Sequence, residues 1–238
     1  MSGHSKWTQI KHKKAVTDAK RSKVFSKLAA LIAVASREKG GDPGMNSKLR
    51  MTVDSARALN MPMENIERAI KRGTGELEGA TLEELLLEAY GPGGKALLIS
   101  AITDNKNRTL AEIKHVLSEF GGKLANTGSV KWLFEEKGEI ILENQKISEA
   151  LELKIIEAGT EDIKIDGNNT IVFTKPESLE SVKKTLIDGG IKINEAALDF
   201  IAKNLEKASE NEKSTYEKLF EALDDQQDVE SLYSNIEF

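Results

Sequence analysis

The spacing of apolar residues changes once along this chain, near residue 80, and that change limits what it can fold into. Before it, apolar residues recur with the 3.6-residue period of a helix; after it, short strand-like runs alternate with helical ones. Val24, Leu28, Leu31, Ile32 and Ala35 share one face, which predicts a helix from Thr17 or Asp18 to about Lys39. Gly40-Gly41-Asp42-Pro43-Gly44 ends it. A second helix is predicted from Asn46 to about Asn60, with Leu49, Val53, Ala56 and either Leu59 or Asn60 turned inward. Pro62 suits the first turn of a third, in which Glu64 and Glu67 come early and Lys71 and Arg72 late, as the helix dipole favours. Gly73 is expected as its left-handed C-cap. Three amphipathic helices on short links make a bundle of about 75 residues.

Thr74 to Ala80 is polar and glycine-bearing, and reads as a linker. Beyond it, Leu85–Tyr90 and Lys95–Thr103 read as strands joined by Gly91-Pro92-Gly93-Gly94. Thr109 and Glu112 have capping-box spacing before a helix striped by Leu110, Ile113, Leu117 and Phe120. Ser129–Glu135 and Gly138–Glu143 are expected as further strands. The stretch from Glu139 then reads β-α-β-β-α-β: Glu139–Leu142, Ser148–Ala158, Asp162–Ile165, Thr170–Thr174, Leu179–Asp188 and Ile191 onward. That order is ferredoxin-like. A helix, Gly-Gly and strand echo, at Phe120–Leu124 and again at Asp188–Ile191, suggests two related units. A last helix carries Tyr216, Leu219, Phe220 and Leu223, and residues 229–238 form a strand returning to the sheet begun near Leu85.

The expected fold class is therefore α+β: an N-terminal three-helix bundle and two α/β domains, the third ferredoxin-like and inserted in the second. The domain limits expected are 1–77 for a basic arm and bundle, 78–135 with 204–238 for a discontinuous α/β domain, and 136–203 for the insert.

Charge is divided as unevenly as the pattern. Residues 1–75 hold 16 Lys/Arg against 6 Asp/Glu, and the remainder 18 against 33, so a net charge of −5 hides a basic head on an acidic body. The first 27 residues carry eight Lys/Arg and a single acid, Asp18, with Trp7, His4 and His12 among them. Such a segment points to an anionic polymer as partner. Lys6, Lys11, Lys13, Lys14, Lys20, Arg21, Lys23 and Lys27 are the candidate phosphate contacts, with Lys71 and Arg72 as additions. Trp7 and His12 suit stacking on exposed bases. The plain alternative for any charge run is a solvated helix face; here the run begins before any helical periodicity.

Two loops are candidates for a second contact. Gly91, Pro92, Gly93 and Gly94 are either a tight strand connection or an exposed tip where backbone approaches a partner. They are not a nucleotide-binding loop, because the residue after Lys95 is Ala96. Asn105, Lys106, Asn107 and Arg108 lie between a strand end and a helix N-terminus, where Asn107 and Thr109 serve either as caps or as part of an anion site.

The inventory for catalysis is thin. Cysteine is absent, which removes disulfides, thiolate nucleophiles and Cys-ligated zinc. The third histidine, His115, has no metal-ligand spacing around it, so no enzyme, metal or cofactor is expected. The apolar run Leu28–Ser36 follows basic residues as in a signal peptide, but charged residues resume at Arg37.

Taken together, Gly3-His-Ser-Lys-Trp7, Ile10-Lys-His-Lys-Lys-Ala15, Asp18-Ala-Lys-Arg21, Asn65–Gly73, Tyr90-Gly-Pro-Gly-Gly94 and Thr103-Asp-Asn-Lys-Asn-Arg-Thr109 resemble the signatures of the YebC/PmpR family. The resemblance spans essentially the whole chain and is tightest over residues 3–135. It implies the three-domain arrangement given above. It also implies a role in gene expression: bacterial members are described as DNA-binding transcriptional regulators, and mitochondrial relatives as translational activators. Bacterial members have further been tied to the ribosome and to relief of stalling at proline-rich stretches. The expectation is a cytoplasmic, non-enzymatic, monomeric DNA-binding regulator with no membrane or obligate small-molecule partner. The alternative is a ribosome-associated translation factor using the same arm on ribosomal RNA, and behind both an α/β enzyme. The residues themselves leave DNA and RNA open.

Overall fold

The computed structural model describes residues 18–143 and 147–237. Three helices come first: α1 (Asp18–Lys39), α2 (Ser47–Ala58) and α3 (Met63–Thr74). Their facing stripes meet in one cluster, with Leu28, Ile32, Ala35, Leu49, Val53, Ala56, Met61, Ile66 and Ala69 buried and Val24, Leu31 and Ile70 packed on its margin. Each Leu or Ile removed from water there stabilises the bundle by roughly 1.5–3 kcal/mol. Asn46 caps α2, accepting from the Leu49 N–H at 3.0 Å while its amide donates to the Ala35 and Gly40 carbonyls. That one buried side chain ties the start of α2 to the end of α1.

Two details of the bundle differ from the sequence reading. Leu59 and Asn60 are exposed, and Asn60 takes a positive φ of 59° to turn the chain into α3. Gly73 is not the cap of α3 but lies inside it; the left-handed residue is Gly75, at φ 83°. A Cβ at Gly73 would run into the Ala33 carbonyl oxygen and the Ser36 Cβ, so this glycine is where α3 crosses α1.

The next layer is a four-stranded sheet in the order β3-β1-β2-β9. Its strands are β1 (Glu83–Tyr90), β2 (Ala96–Thr103), β3 (Lys123–Leu124) and β9 (Val229–Ser234). β1 and β2 pair antiparallel from Glu83↔Thr103 to Tyr90↔Ala96, and β9 pairs antiparallel with the other edge of β2. Helices α4 (Lys106–Glu119) and α7 (Glu210–Asp224) pack against this sheet through Ile113, Leu117, Tyr216, Leu219, Phe220 and Leu223. Two short strands, β8 (Glu206–Lys207) and β10 (Ile236–Glu237), pair parallel beside it.

Between β3 and β9 the chain builds its other unit. The order is β4 (Phe134–Glu143), α5 (Glu149–Glu157), β5 (Thr160–Asp166), β6 (Asn169–Thr174), α6 (Leu179–Asp188) and β7 (Glu195–Ala202). The sheet order β5-β6-β4-β7 is the ferredoxin-like arrangement. By contacts the chain divides into two compact units, Phe134–Ile201 and the remainder. The fold is thus α+β, with a helical bundle, a sheet domain completed by the C-terminal strand, and a ferredoxin-like insert.

Two local expectations fail. Ser129–Leu133 is not a strand: Lys131–Leu133 is a single 3-10 turn, and β4 begins at Phe134. The strand expected from Ile191, after the second Gly-Gly, is coil at first, and β7 starts only at Glu195. The left-handed residue is the first glycine in one copy of the echo, Gly121, and the second in the other, Gly190.

Candidate nucleic-acid interface

Of the predicted contacts, Lys6, Trp7, Lys11, His12, Lys13 and Lys14 lie outside the described residues. Lys20 and Arg21 fall in the first turns of α1. The next two cations have partners. Lys27 donates to the Asp224 carboxylate at 3.1 Å and to the Asp224 carbonyl at 2.9 Å, and Lys23 to the Asp225 carboxylate at 2.8 Å. Asp224 ends α7 and Asp225 caps it. The negative end of that helix, with two carboxylates added, is a natural seat for ammonium groups. Lys23 and Lys27 therefore dock α1 on the sheet domain.

The rest of the bundle follows the same habit. Lys48 bridges Glu84 at 2.8 Å and Glu38 at 3.2 Å; burial alone would lower its pKa, but the two carboxylates raise it. Arg37 donates to the Leu82 carbonyl and Arg72 to the Ala80 carbonyl, so both hold the linker against the bundle. Lys71, one residue before Arg72, is exposed.

The two loops differ in character. In the Gly91–Gly94 turn, the buried Tyr216 hydroxyl donates to the Pro92 carbonyl at 2.5 Å, and a Cβ at Gly91 would strike the Tyr216 ring. Burial and the charges of Glu212 and Glu206 push the Tyr216 phenol well above its ordinary pKa, so it stays a donor. The turn is thus braced from beneath, while Gly93 and Gly94, at φ 69° and 83°, face outward. In the other loop Asn105, not Asn107 or Thr109, caps α4, accepting from the Arg108 N–H at 3.1 Å. Thr109 is buried inside the helix, where its hydroxyl donates to Asp228 at 2.6 Å and lies 2.8 Å from the Thr103 hydroxyl. Arg108 pairs with Asp228 at 2.8 Å and Asp104 at 3.2 Å. Burial would raise the Asp228 carboxyl, but its bonds from Arg108, Thr109 and Thr103 hold it below the usual carboxylate range. Lys106 and Asn107 are exposed on the first turn of α4. The loop's arginine is thus engaged by its own acids.

A third feature was not visible in the sequence. Glu88 sits in the middle of β1, 5% exposed, and its carboxylate accepts three backbone N–H bonds: from Gly128 at 2.5 Å, Val130 at 2.6 Å and Lys131 at 2.8 Å. Burial would raise its pKa; the three donors and the Lys131 charge outweigh that and lower it. The loop so pinned carries Trp132, which is 64% exposed. Its indole N–H donates to the Ser129 carbonyl at 3.0 Å, and the Lys203 ammonium to the Trp132 carbonyl at 2.9 Å. In sequence, Glu88 reads as one residue of the Leu85–Tyr90 strand and Trp132 as part of the Ser129–Glu135 strand.

Comparison with known proteins places this arrangement. Residues 5–76 match the pattern described as the TACO1/YebC N-terminal domain, and residues 82–236 that of the TACO1/YebC second and third domain. The chain belongs to the TACO1/YebC family. Relatives along its whole length include a protein of Halothermothrix orenii at 47% identity, covering 95% of it, and one of Caldanaerobacter subterraneus at 46%, covering 98%. Both are named "Probable transcriptional regulatory protein". A crystal structure of a conserved hypothetical protein from Aquifex aeolicus superposes with a TM-score of 0.87 at 43% identity, over 97% of this chain and 96% of that one. For this TACO1/YebC protein, the described residues hold no cluster of three or more His, Cys, Asp or Glu suited to a metal ion, and no described helix is long and apolar enough to cross a membrane.

Proposed function

We propose that this protein is a nucleic-acid-binding regulator of gene expression, acting in the cytoplasm as a non-enzymatic, monomeric DNA-binding transcriptional regulator. The observation that carries the reading is the segregation of charge: eight Lys/Arg against one acid in the first 27 residues of an otherwise acidic chain. The names of the relatives favour transcription as the process. With Lys23 and Lys27 engaged by α7, the phosphate contacts fall to Lys6, Lys11, Lys13, Lys14, Lys20 and Arg21. Six such contacts on a duplex give a log–log salt slope of about −5.

A second reading places the same segment on ribosomal RNA. The observation that favours it is Trp7 set among the lysines, since an aromatic ring adds most where bases are unpaired. Crosslinking in cells, followed by sequencing of the attached strand, separates the two. Recovery of defined promoter fragments supports the DNA reading. Recovery of ribosomal RNA selects the second, and recovery of neither removes both.

A further inference from the structure

We propose that Trp132 is a stacking platform for an unpaired nucleobase, with Lys131 and Lys203 contacting the flanking phosphates, so that the sheet domain carries a nucleic-acid site of its own. The inference rests on the nucleic-acid reading given above and extends it to a different part of the chain.

The first argument is what holds the ring. An exposed tryptophan on a loose loop would signify little. Here the loop is pinned from below by a buried carboxylate with three N–H donors, an arrangement that costs the desolvation of a charge and is maintained only because all three bonds form. The Tyr90 hydroxyl reaches the Ser129 carbonyl at 3.4 Å, the same carbonyl that accepts the indole N–H. The ring is therefore presented in a fixed orientation and loses little freedom on binding.

The second argument is what the ring can offer. Its N–H is already committed to Ser129, so it has no polar group left for reading a base edge. With the residue 64% exposed, what the ring can offer is a π-face, and stacking on one tolerates any base. A base inside a duplex is already stacked on both sides, so the natural occupant is an unpaired one.

The third argument is the surroundings. Asn126, Thr127, Gly128 and Lys131, within six residues of Trp132 in sequence, are exposed, as is Lys203, whose ammonium reaches the Trp132 carbonyl; this margin is polar and basic rather than apolar. A tryptophan that anchors a protein partner sits instead in a desolvated apolar patch. Cations beside an aromatic face match a phosphodiester chain with its bases turned out.

The test uses the full chain and three labelled probes of one sequence: an unstructured RNA of about 12 nucleotides, the same single strand as DNA, and the duplex DNA, a length near the upper part of known single-strand site sizes. Trp132→Ala is expected to weaken both single strands on the order of 10-fold and leave the duplex unchanged, with Trp132→Phe retaining most of the affinity. Its salt slope should match the unmodified protein's, whereas Lys131→Gln should make the slope shallower by about 0.7. Because Trp132 is exposed, thermal melts of Trp132→Ala should overlay those of the unmodified chain. Equal single-strand binding by Trp132→Ala and the unmodified chain overturns this site alone. So does an equal loss on duplex and single strands, or loss confined to association with a protein partner. Absence of binding to all three probes by the unmodified chain at low salt removes both this site and the nucleic-acid reading.

Discussion

The cations of the helical bundle and those beside Trp132 make an instructive pair. Counted along the sequence, the bundle is the basic part of the molecule and the sheet domain the acidic part. In the fold, part of the bundle's charge is engaged by the chain itself. Lys23, Lys27 and Lys48 are engaged by carboxylates of the same chain, and Arg37 and Arg72 by the carbonyls of Leu82 and Ala80. Around Trp132 a buried acid, Glu88, is used internally, and Lys131 and Lys203 are exposed beside an exposed ring, with the Lys203 ammonium on the Trp132 carbonyl. Charge density in sequence locates where cations are made; the fold decides which of them carboxylates of the same chain engage.

The largest expected effect lies under Trp132. Glu88→Gln replaces an acceptor of three N–H bonds by a group with one acceptor oxygen and two donors, and should cost about 2–4 kcal/mol in denaturant unfolding. The carboxyl's pKa is lowered in the fold, so its stabilisation is fully present above the ordinary value of about 4.3 and is lost as pH falls through the depressed one. The unmodified protein should therefore lose stability more steeply below about pH 4 than the variant does. Parallel acid melts would show the pinning to be wrong.

Next comes the helix crossing. Gly73→Ala places a methyl against the Ala33 carbonyl and should destabilise the bundle by about 1–3 kcal/mol, even though alanine is the better helix former. A gain in melting temperature would return Gly73 to the role of a simple helix residue.

The ion pairs of α1 should be worth less. Lys27, whose side chain is 9% exposed, holds both a carboxylate and a carbonyl, and Lys27→Gln should cost about 1 kcal/mol. Lys23→Gln, whose partner Asp225 is largely exposed, should cost less than about 0.5 kcal/mol and vanish in high salt. If both changes leave stability untouched yet weaken nucleic-acid binding, these lysines belong to the grip after all.

Much of this architecture was legible in the sequence, and the misses share a cause. The three bundle helices and the β-α-β-β-α-β order follow from periodicity, which is local. Gly73 looked like a cap because it follows Lys71 and Arg72; that it meets α1 depends on a crossing that no local pattern encodes. Thr109 and Glu112 had capping-box spacing, but Thr109 is buried by Asp228, 119 residues away in sequence, and the role passed to Asn105. Glu88 stands in a strand whose alternation leaves charged residues outward, and it is buried only because residues 126–131 fold over it. Trp132 reads as a strand residue for want of that same contact. Such contacts depend on groups far apart in sequence, and no spacing rule reports them.

The most direct measurement of the central claim is a salt titration of nucleic-acid binding by two full-chain variants. In the first, Lys11, Lys13 and Lys14 are changed to Glu; in the second, Lys23 and Lys27 are changed to Gln. The account predicts that the first loses binding by at least about 10³-fold and that the second keeps the unmodified salt slope of about −5 within one unit. Undiminished binding by the first variant, with the slope collapsing in the second, would contradict it.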